Sequence, residues 1–384
     1  MQKRITLLIL SILMSSMFVT GCWNYREVDK LAIVAGVAVD KGTNRQYKVT
    51  IEIVQMGEGK DTKKTSKTIT TEGNTMFDAV RNAISLEGKR LYWSHAKVII
   101  ISKEIASEGL TKVIDWYNRD NETRADVQLI ISEGASAQEI LSGQATTEEI
   151  KSFVLDEMIK NQESLSKAPK IDILHFDNDL QAKGISPIAS AISLKRIDGK
   201  IIPQIMGTAI FKGDKLIGFL NDEETKDLLF IRNEVKGGVM IKGTQGKDIS
   251  TPVSLEIFKN KTQVTPIVDE DNNIEINLDI DTTVSLDEID GTENLIDDEG
   301  RMKLENSVEN TLKERIEAVI TKMQSKYDTD IFGFGAKLRE DNNREWKRVS
   351  SNWEEIFKDL RVNVTTRIHI RNSAMISKPL EIGE

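Results

Sequence analysis

Cysteine is almost absent: Cys22 is the only one in 384 residues. No disulfide within the chain can staple the fold, and the thiol needs its own explanation. Histidine is nearly as scarce. His95, His175 and His369 lack both the i, i+4 pairing and the cysteine companions of a zinc site, and read as ordinary structural residues. Six prolines and no low-complexity tract leave little room for long linkers. The formal net charge is −9. Binding to a phosphate backbone needs a basic face, so this acidic balance argues against nucleic acid as a ligand and makes anionic lipid headgroups poor partners. Past Val19, no apolar run approaches the roughly 20 residues of a membrane-spanning helix.

Signatures of catalysis are missing as well. There is no Gly-x-Ser-x-Gly elbow. Gly57-Glu58-Gly59-Lys60 fails as a phosphate loop, because Val54 stands where the first glycine belongs and Asp61 follows the lysine. Gly333-Phe334-Gly335 fails as a dinucleotide fingerprint, with Leu338 in place of the third small residue. Asp269-Glu270-Asp271-Asn272-Asn273 opens like a calcium loop but puts Ile274 and Ile280 where glycine and a bidentate glutamate are required. It reads as a hairpin tip. Arg119, Asp120, Glu122 and Arg124 alternate in sign, and are read as a structural salt-bridge cluster rather than a catalytic carboxylate pair. No catalytic residue, metal ligand or cofactor is assigned.

What the chain does have begins at its start. Lys3 and Arg4 precede a 15-residue uncharged run, Ile5 to Val19, too short for a comfortable span and typical of a signal peptide. The run ends in Val19-Thr20-Gly21-Cys22, the pattern that bacterial lipoprotein processing recognises. Cleavage between Gly21 and Cys22 would remove residues 1–21. Cys22 would then carry an S-diacylglyceryl group and a further acyl chain on its new amino group. A single acyl chain binds a bilayer only marginally, and additional chains make the anchor stable. Trp23 and Tyr25, next to the lipid, are read as anchors for a partner, as interfacial side chains or as packed into the first domain.

With hydrophobic content of 39% and charged content of 29%, the remainder is a folded ectodomain, long enough for two or three domains of roughly 150 residues. Leu31 to Asp40 reads as a buried strand. Tyr47, Val49, Ile51 and Ile53 alternate with Lys48, Thr50 and Glu52, predicting a hairpin partner with one wet face. Gly57 to Lys67 reads as a polar loop. Thr75 and Asp78 suggest a capping box opening a helix with Phe77, Val80, Ala83 and Ile84 on one face. Strands are predicted at 96–101 and 127–131, a helix through Leu110, Val113, Ile114 and Tyr117, and mainly helix over 147–181. A strand-rich region follows from about Gly184, and a domain boundary is placed at 200/201. Val308, Leu312, Ile316, Val319 and Met323 mark a long helix, and Val362 to Ile370 a closing strand. Strands and helices mixed without a βαβ rhythm predict an α+β fold. The expected layout is 22–200, 201–373 and a tail, 374–384.

Gly21-Cys22-Trp23-Asn24-Tyr25-Arg26-Glu27 running into Leu31 to Gly36 and Asp40 resembles the opening of the Ger(x)C family, the lipoprotein C subunits of spore germinant receptors. Further likenesses are Trp93 to Ile99, Asp115 to Arg124, Gly207 to Gly218, and Asp330 to Gly335 followed by Trp346 and Trp353. Arg371-Asn372-Ser373 departs from the family's usual finish. The resemblance implies a non-enzymatic receptor subunit on the outer face of the cytoplasmic membrane, in spores the inner spore membrane. It implies assembly with two integral membrane subunits, A-type and B-type, and three α+β domains, each a sheet with helices around it. The N-terminal half would then hold two of the three, or one domain would be built from separated segments. Two rival readings use the same export route: a solute-binding lipoprotein with a deep cleft between domains, and a cortex peptidoglycan hydrolase with two carboxylates in one cleft.

Overall fold

The protein is described by a computed structural model over residues 2–16, 30–56, 64–120, 122–143, 150–242, 252–271, 273–290, 295 and 297–371. In chain order these form α1 (Gln2–Ser16), β1 (Leu31–Lys41), β2 (Tyr47–Met56), β3 (Lys64–Gly73), α2 (Met76–Glu87), β4 (Arg90–Tyr92), β5 (Val98–Ser102), α3 (Lys103–Glu108) and α4 (Thr111–Arg119). Then come β6 (Gln128–Ser132), α5 (Ala137–Ser142), α6 (Lys151–Lys160), α7 (Ile173–Gln181), β7 (Ile188–Ile197), β8 (Lys200–Lys212), β9 (Lys215–Leu220) and α8 (Asp222–Ile231). The last are β10 (Val239–Lys242), β11 (Val253–Val268), β12 (Ile274–Ile289), α9 (Asp298–Lys322), α10 (Phe334–Asp341), α11 (Asn343–Val349), α12 (Trp353–Lys358) and β13 (Arg361–Ile370).

The fold is α+β. Among the described residues there are two sheets, where the resemblance leads to three. The large one has the order β3-β2-β1-β5-β6-β7-β8-β9, with β4 paired to the start of β1. Its centre is parallel, and there β5 and β6 are buried on both faces, which is why Val98 to Ile101 and Leu129 to Ile131 are unbroken apolar runs. One face packs under α2, α3, α4 and α7, the other under α5 and α6. The hairpins β7–β8 and β8–β9 continue this sheet past position 201, to Leu220.

The expected wet face of β2 is covered. Thr50 and Glu52 are buried, because the Glu52 carboxylate accepts the N–H groups of Lys151 (2.9 Å) and Ser152 (2.8 Å) at the start of α6. Asp40, at the end of β1, does the same for Ala137 (2.7 Å) and Gln138 (2.8 Å) at the start of α5. Each carboxylate satisfies orphan donors and faces the positive end of a helix. Burial raises the Asp40 pKa, opposed by those two N–H groups. Lys64 to Lys67, read as loop, is strand and pairs with Ile53 to Met56; residues 57–63 lie outside the described residues.

Thr75 caps α2 through the N–H of Asp78 (3.1 Å), while the Asp78 carboxylate reaches the N–H of Asn74 (2.9 Å) instead of closing the box on Thr75. The buried face of α2 is Met76, Ala79, Val80 and Ala83. Phe77, expected inside, is half exposed, because the small side of the helix, at Ala79 and Ala83, is what lies against β3.

The second sheet, β10-β11-β12-β13, carries α9 on one face through Leu304, Val308, Leu312, Ile316 and Val319. Asp269 closes the β11–β12 hairpin by accepting the N–H groups of Asp271 and Asn273. Strand β13 lies parallel to β12 at the sheet's edge. Its N–H groups at Ile368 and Ile370 donate to Glu309 (2.9 Å) and Glu305 (2.8 Å) of α9. Residues four apart on a helix match residues two apart on a strand, so α9 closes part of an edge that would otherwise be open.

An ion pair ties α8 to α9: Arg315 meets both carboxylate oxygens of buried Asp227, at 3.1 and 2.9 Å. Burial pushes the Asp227 carboxyl up to about 6, against the pull of Arg315. The folded state therefore holds this proton more tightly than the unfolded chain. The site's contribution to stability is complete below pH 3.8 and is lost as pH rises through about 6, a change of about 3 kcal/mol. Urea unfolding of Asp227→Asn at pH 4 and pH 7 checks this. The variant should gain on the wild type by about that amount between the two; parallel behaviour would rule out the buried titration.

Candidate functional site

Between the two sheets lies a joint built around one carboxylate. After α9 the chain turns through Asp328 and reaches Asp330, which is 5% exposed. One carboxylate oxygen of Asp330 accepts the N–H groups of Phe332 (3.1 Å), Gly333 (2.9 Å) and Phe334 (3.3 Å). The other accepts the N–H of Gly335 (2.9 Å) and the indole N–H of Trp353 (3.0 Å). The carboxylate thus replaces the missing intrahelical acceptors at the start of α10 and faces the positive end of the helix. Burial raises its pKa, with the Gly335 N–H, the Trp353 indole and the Gly333 and Phe334 N–H groups pulling the other way. Trp353 packs edge-on against Trp346 at 5.6 Å.

The segment leading into β7 of the large sheet is clamped to this joint. The Gly184 carbonyl accepts the N–H of Ala336 (2.8 Å), and the Asp330 carbonyl accepts that of Ser186 (2.7 Å). Gly184 has φ +84°, and a Cβ there would stand 2.5 Å from the Gly335 carbonyl carbon. A second tie runs through Arg232, which pairs with Glu234 (2.8 Å) and Asp179 of α7 (3.5 Å) and donates to the Ile331 carbonyl (3.2 Å). A cleft of 580 Å³ opens beside the joint, lined in part by Lys183, Gly184, Ser186, Asp330, Trp346 and Trp353. A carboxylate this buried, with both oxygens engaged by N–H donors, is poorly placed to take a substrate proton or a metal ion. Its chemistry is to hold the two halves in register.

Three of the four residues read as one salt-bridge cluster find their ion-pair partners outside it. Arg119 pairs with Asp115 one turn back (2.8 Å), Arg124 with Asp126 (2.8 Å) and Glu122 with Arg90 (2.6 Å). Asp120 accepts the N–H of Glu122 (2.9 Å). Arg119, Glu122 and Arg124 form ion pairs with residues outside the four, and Asp120 ties the turn after α4 through a backbone N–H. The packing unites two separate stretches instead: Trp93 meets Trp116 edge-on at 5.5 Å, and Ser94 donates to the Glu122 carbonyl (2.9 Å). His175 lies 2.7 Å from Asp172, His369 lies 3.5 Å from Asp281, and His95 abuts Tyr92. Among the described residues no group of three or more His, Cys, Asp or Glu is placed to hold a metal. Gly21, Cys22, Trp23 and Tyr25 lie outside the described residues. Asp330 as a buried hub escaped sequence reasoning. The signal that could have found it is an acidic residue three to five positions before a Gly-Phe-Gly helix start, with tryptophans downstream.

Fold and joint define the class: an α+β protein of two sheet-bearing halves linked through a satisfied carboxylate. Residues 24–194 match the spore germination protein N-terminal domain, and residues 206–374 match the spore germination B3/GerAC-like C-terminal domain. The chain belongs to the Ger(x)C family of spore germination proteins. It is 25% identical over 380 residues to spore germination protein B3 of Bacillus subtilis (strain 168), covering 93% of this chain and 95% of that one. Spore germination protein YndF of the same organism is 26% identical over 390 residues, covering 92% and 93%. Spore germination protein KC, also of that organism, is 23% identical over 400 residues, covering 98% and 97%. The crystal structure of the GerBC protein has the same fold, with a TM-score of 0.56 at 23% identity over 87% of this chain and 96% of that one. The interval between the two matched regions falls within the β7–β8 hairpin of the large sheet.

Proposed function

We propose that this protein is a lipid-anchored subunit of a spore germinant receptor, acting in receptor assembly or signal relay without a catalytic step of its own. The observation that carries the reading is family membership together with Val19-Thr20-Gly21-Cys22 at the end of an apolar segment. The helix of that segment, α1, has 15 residues, and among the described residues no helix is long and apolar enough to cross a membrane. Lipid on Cys22 then holds the folded body at the outer face of the cytoplasmic membrane, in the spore the inner membrane. Two integral membrane subunits, A-type and B-type, are its partners there. Tethering raises the effective concentration of a weakly binding partner, so a modest interface suffices. The joint at Asp330 supports relay, since backbone hydrogen bonds at Gly184 and Ser186 tie the segment entering the large sheet to the start of α10.

The test is crosslinked co-purification from dormant-spore membranes, comparing wild type with Cys22→Ala. Two polytopic subunits should come down with the wild type and be at least severalfold depleted with the variant. Recovery of wall fragments or of a small solute alone, with no polytopic partner, would remove the subunit reading.

A further inference from the structure

Two cavities meet on the N-terminal half, against α2 and α4. One, of 530 Å³, is walled by Tyr47, Met76, Phe77 and Trp116, with Lys112 and Asp115 at its rim. The other, of 300 Å³, is lined by Arg81, Arg90, Trp93 and Glu122, and both share Phe77, Arg119 and Asp120. Each lies in or near the size range of small-molecule sites. Phe77 stands between them 50% exposed, a large apolar ring left in water at a cavity mouth. The Arg81 guanidinium lies over that ring, 4.7 Å from its centroid. The charges do not cancel. Arg119 is taken by Asp115 and Arg90 by Glu122. Arg81 and Lys112 have no ion-pair partner among the described residues, and the indole N–H of Trp116, a side chain only 7% exposed, has no acceptor there. Together the two lobes set Arg81, Arg90, Arg119 and Lys112 against Asp115, Asp120 and Glu122, one cation in excess in a protein whose net charge is −9.

We propose that this two-lobed groove is a binding site for a small amphiphilic carboxylate, its apolar body against Phe77 and Trp116 in the larger lobe and its carboxylate at Arg81 in the smaller. An apolar wall fixes no head-group charge by itself. The unpaired guanidinium does, since a planar fork of donors without a carboxylate matches that head group and repels an ammonium. The site is separate from the Asp330 joint and does not depend on the receptor reading.

The test uses the purified full chain, titrated with phenylacetate, phenethylamine and 2-phenylethanol. Binding is followed by saturation-transfer NMR and by tryptophan emission. Phenylacetate should bind at least tenfold more tightly than phenethylamine. Arg81→Glu should weaken phenylacetate at least tenfold, and Phe77→Ala should weaken phenylacetate and 2-phenylethanol severalfold. Both positions are exposed, so both variants should fold. Equal binding of acid and amine, or phenylacetate binding that survives both variants, overturns the proposal. No binding of any of the three overturns it as well and leaves the groove to a polypeptide segment.

Discussion

Replacement of Asp330 by alanine should lower the stability of the folded protein by about 4–5 kcal/mol, near the top of what one substitution does. Four backbone N–H groups and the Trp353 indole lose their acceptor at once. Each buried donor left unpaired costs about 1–3 kcal/mol, and some relaxation of the loop recovers part of it. Asp330→Asn is the informative companion. Its remaining oxygen can still serve Phe332, Gly333 and Phe334, but its amide NH2 would face the Gly335 and Trp353 donors, so a loss of about 2–3 kcal/mol is expected. Urea unfolding measures both, and near-UV circular dichroism reports whether Trp353 leaves its packed position. An alanine variant within about 1 kcal/mol of wild type would mean that the donors find other acceptors and that the joint is not held by this carboxylate.

The second large effect is expected at Gly184. An alanine there must adopt φ +84°, and its Cβ would stand 2.5 Å from the Gly335 carbonyl carbon and 2.7 Å from the Ala336 nitrogen. Those are backbone atoms of α10 and cannot rotate away. The helix has to retreat and give up the Gly184–Ala336 hydrogen bond, so the loss should reach about 3–4 kcal/mol, with faster proteolysis in the segment between α7 and β7. Gly88 supplies the control. It has φ +71° and nothing within 4 Å of a built Cβ, so Gly88→Ala should cost only the conformational penalty, about 1 kcal/mol. Equal losses at the two positions would show that backbone conformation, not close approach between the halves, accounts for the effect at Gly184.

Much of the secondary structure was legible because its cause is local. The apolar runs of β5 and β6, the cap at Thr75, the helical spacing of α4 and α9 and the alternation in β13 all appear where they were read. Elsewhere a neighbour distant in sequence changes the meaning of a local pattern. Thr50 and Glu52 alternate like a solvated strand face, yet they sit under two helices, and Glu52 caps one of them. Phe77 has the spacing of a buried residue and stands outside, because Ala79 and Ala83 let α2 settle on its small side. The charges around the end of α4 form ion pairs with Asp115 and Asp126, which are close in sequence, and with Arg90, which only the packing brings within reach.

By itself, the sequence determined the α+β class and the family, along with the expectation of a processed and lipidated start. Period, composition and short contiguous motifs depend on residues a few positions apart. Tertiary structure alone decided that β7 to β9 extend the first sheet, and that Asp330 with Gly184 forms the joint between the halves. It also decided that two cavities share Phe77. Gly184 and Gly335 lie far apart along the chain, and a carboxylate looks the same in a sequence whether it ends in water or under five N–H donors. What separates those outcomes is desolvation, and desolvation exists only once the chain has folded around the group.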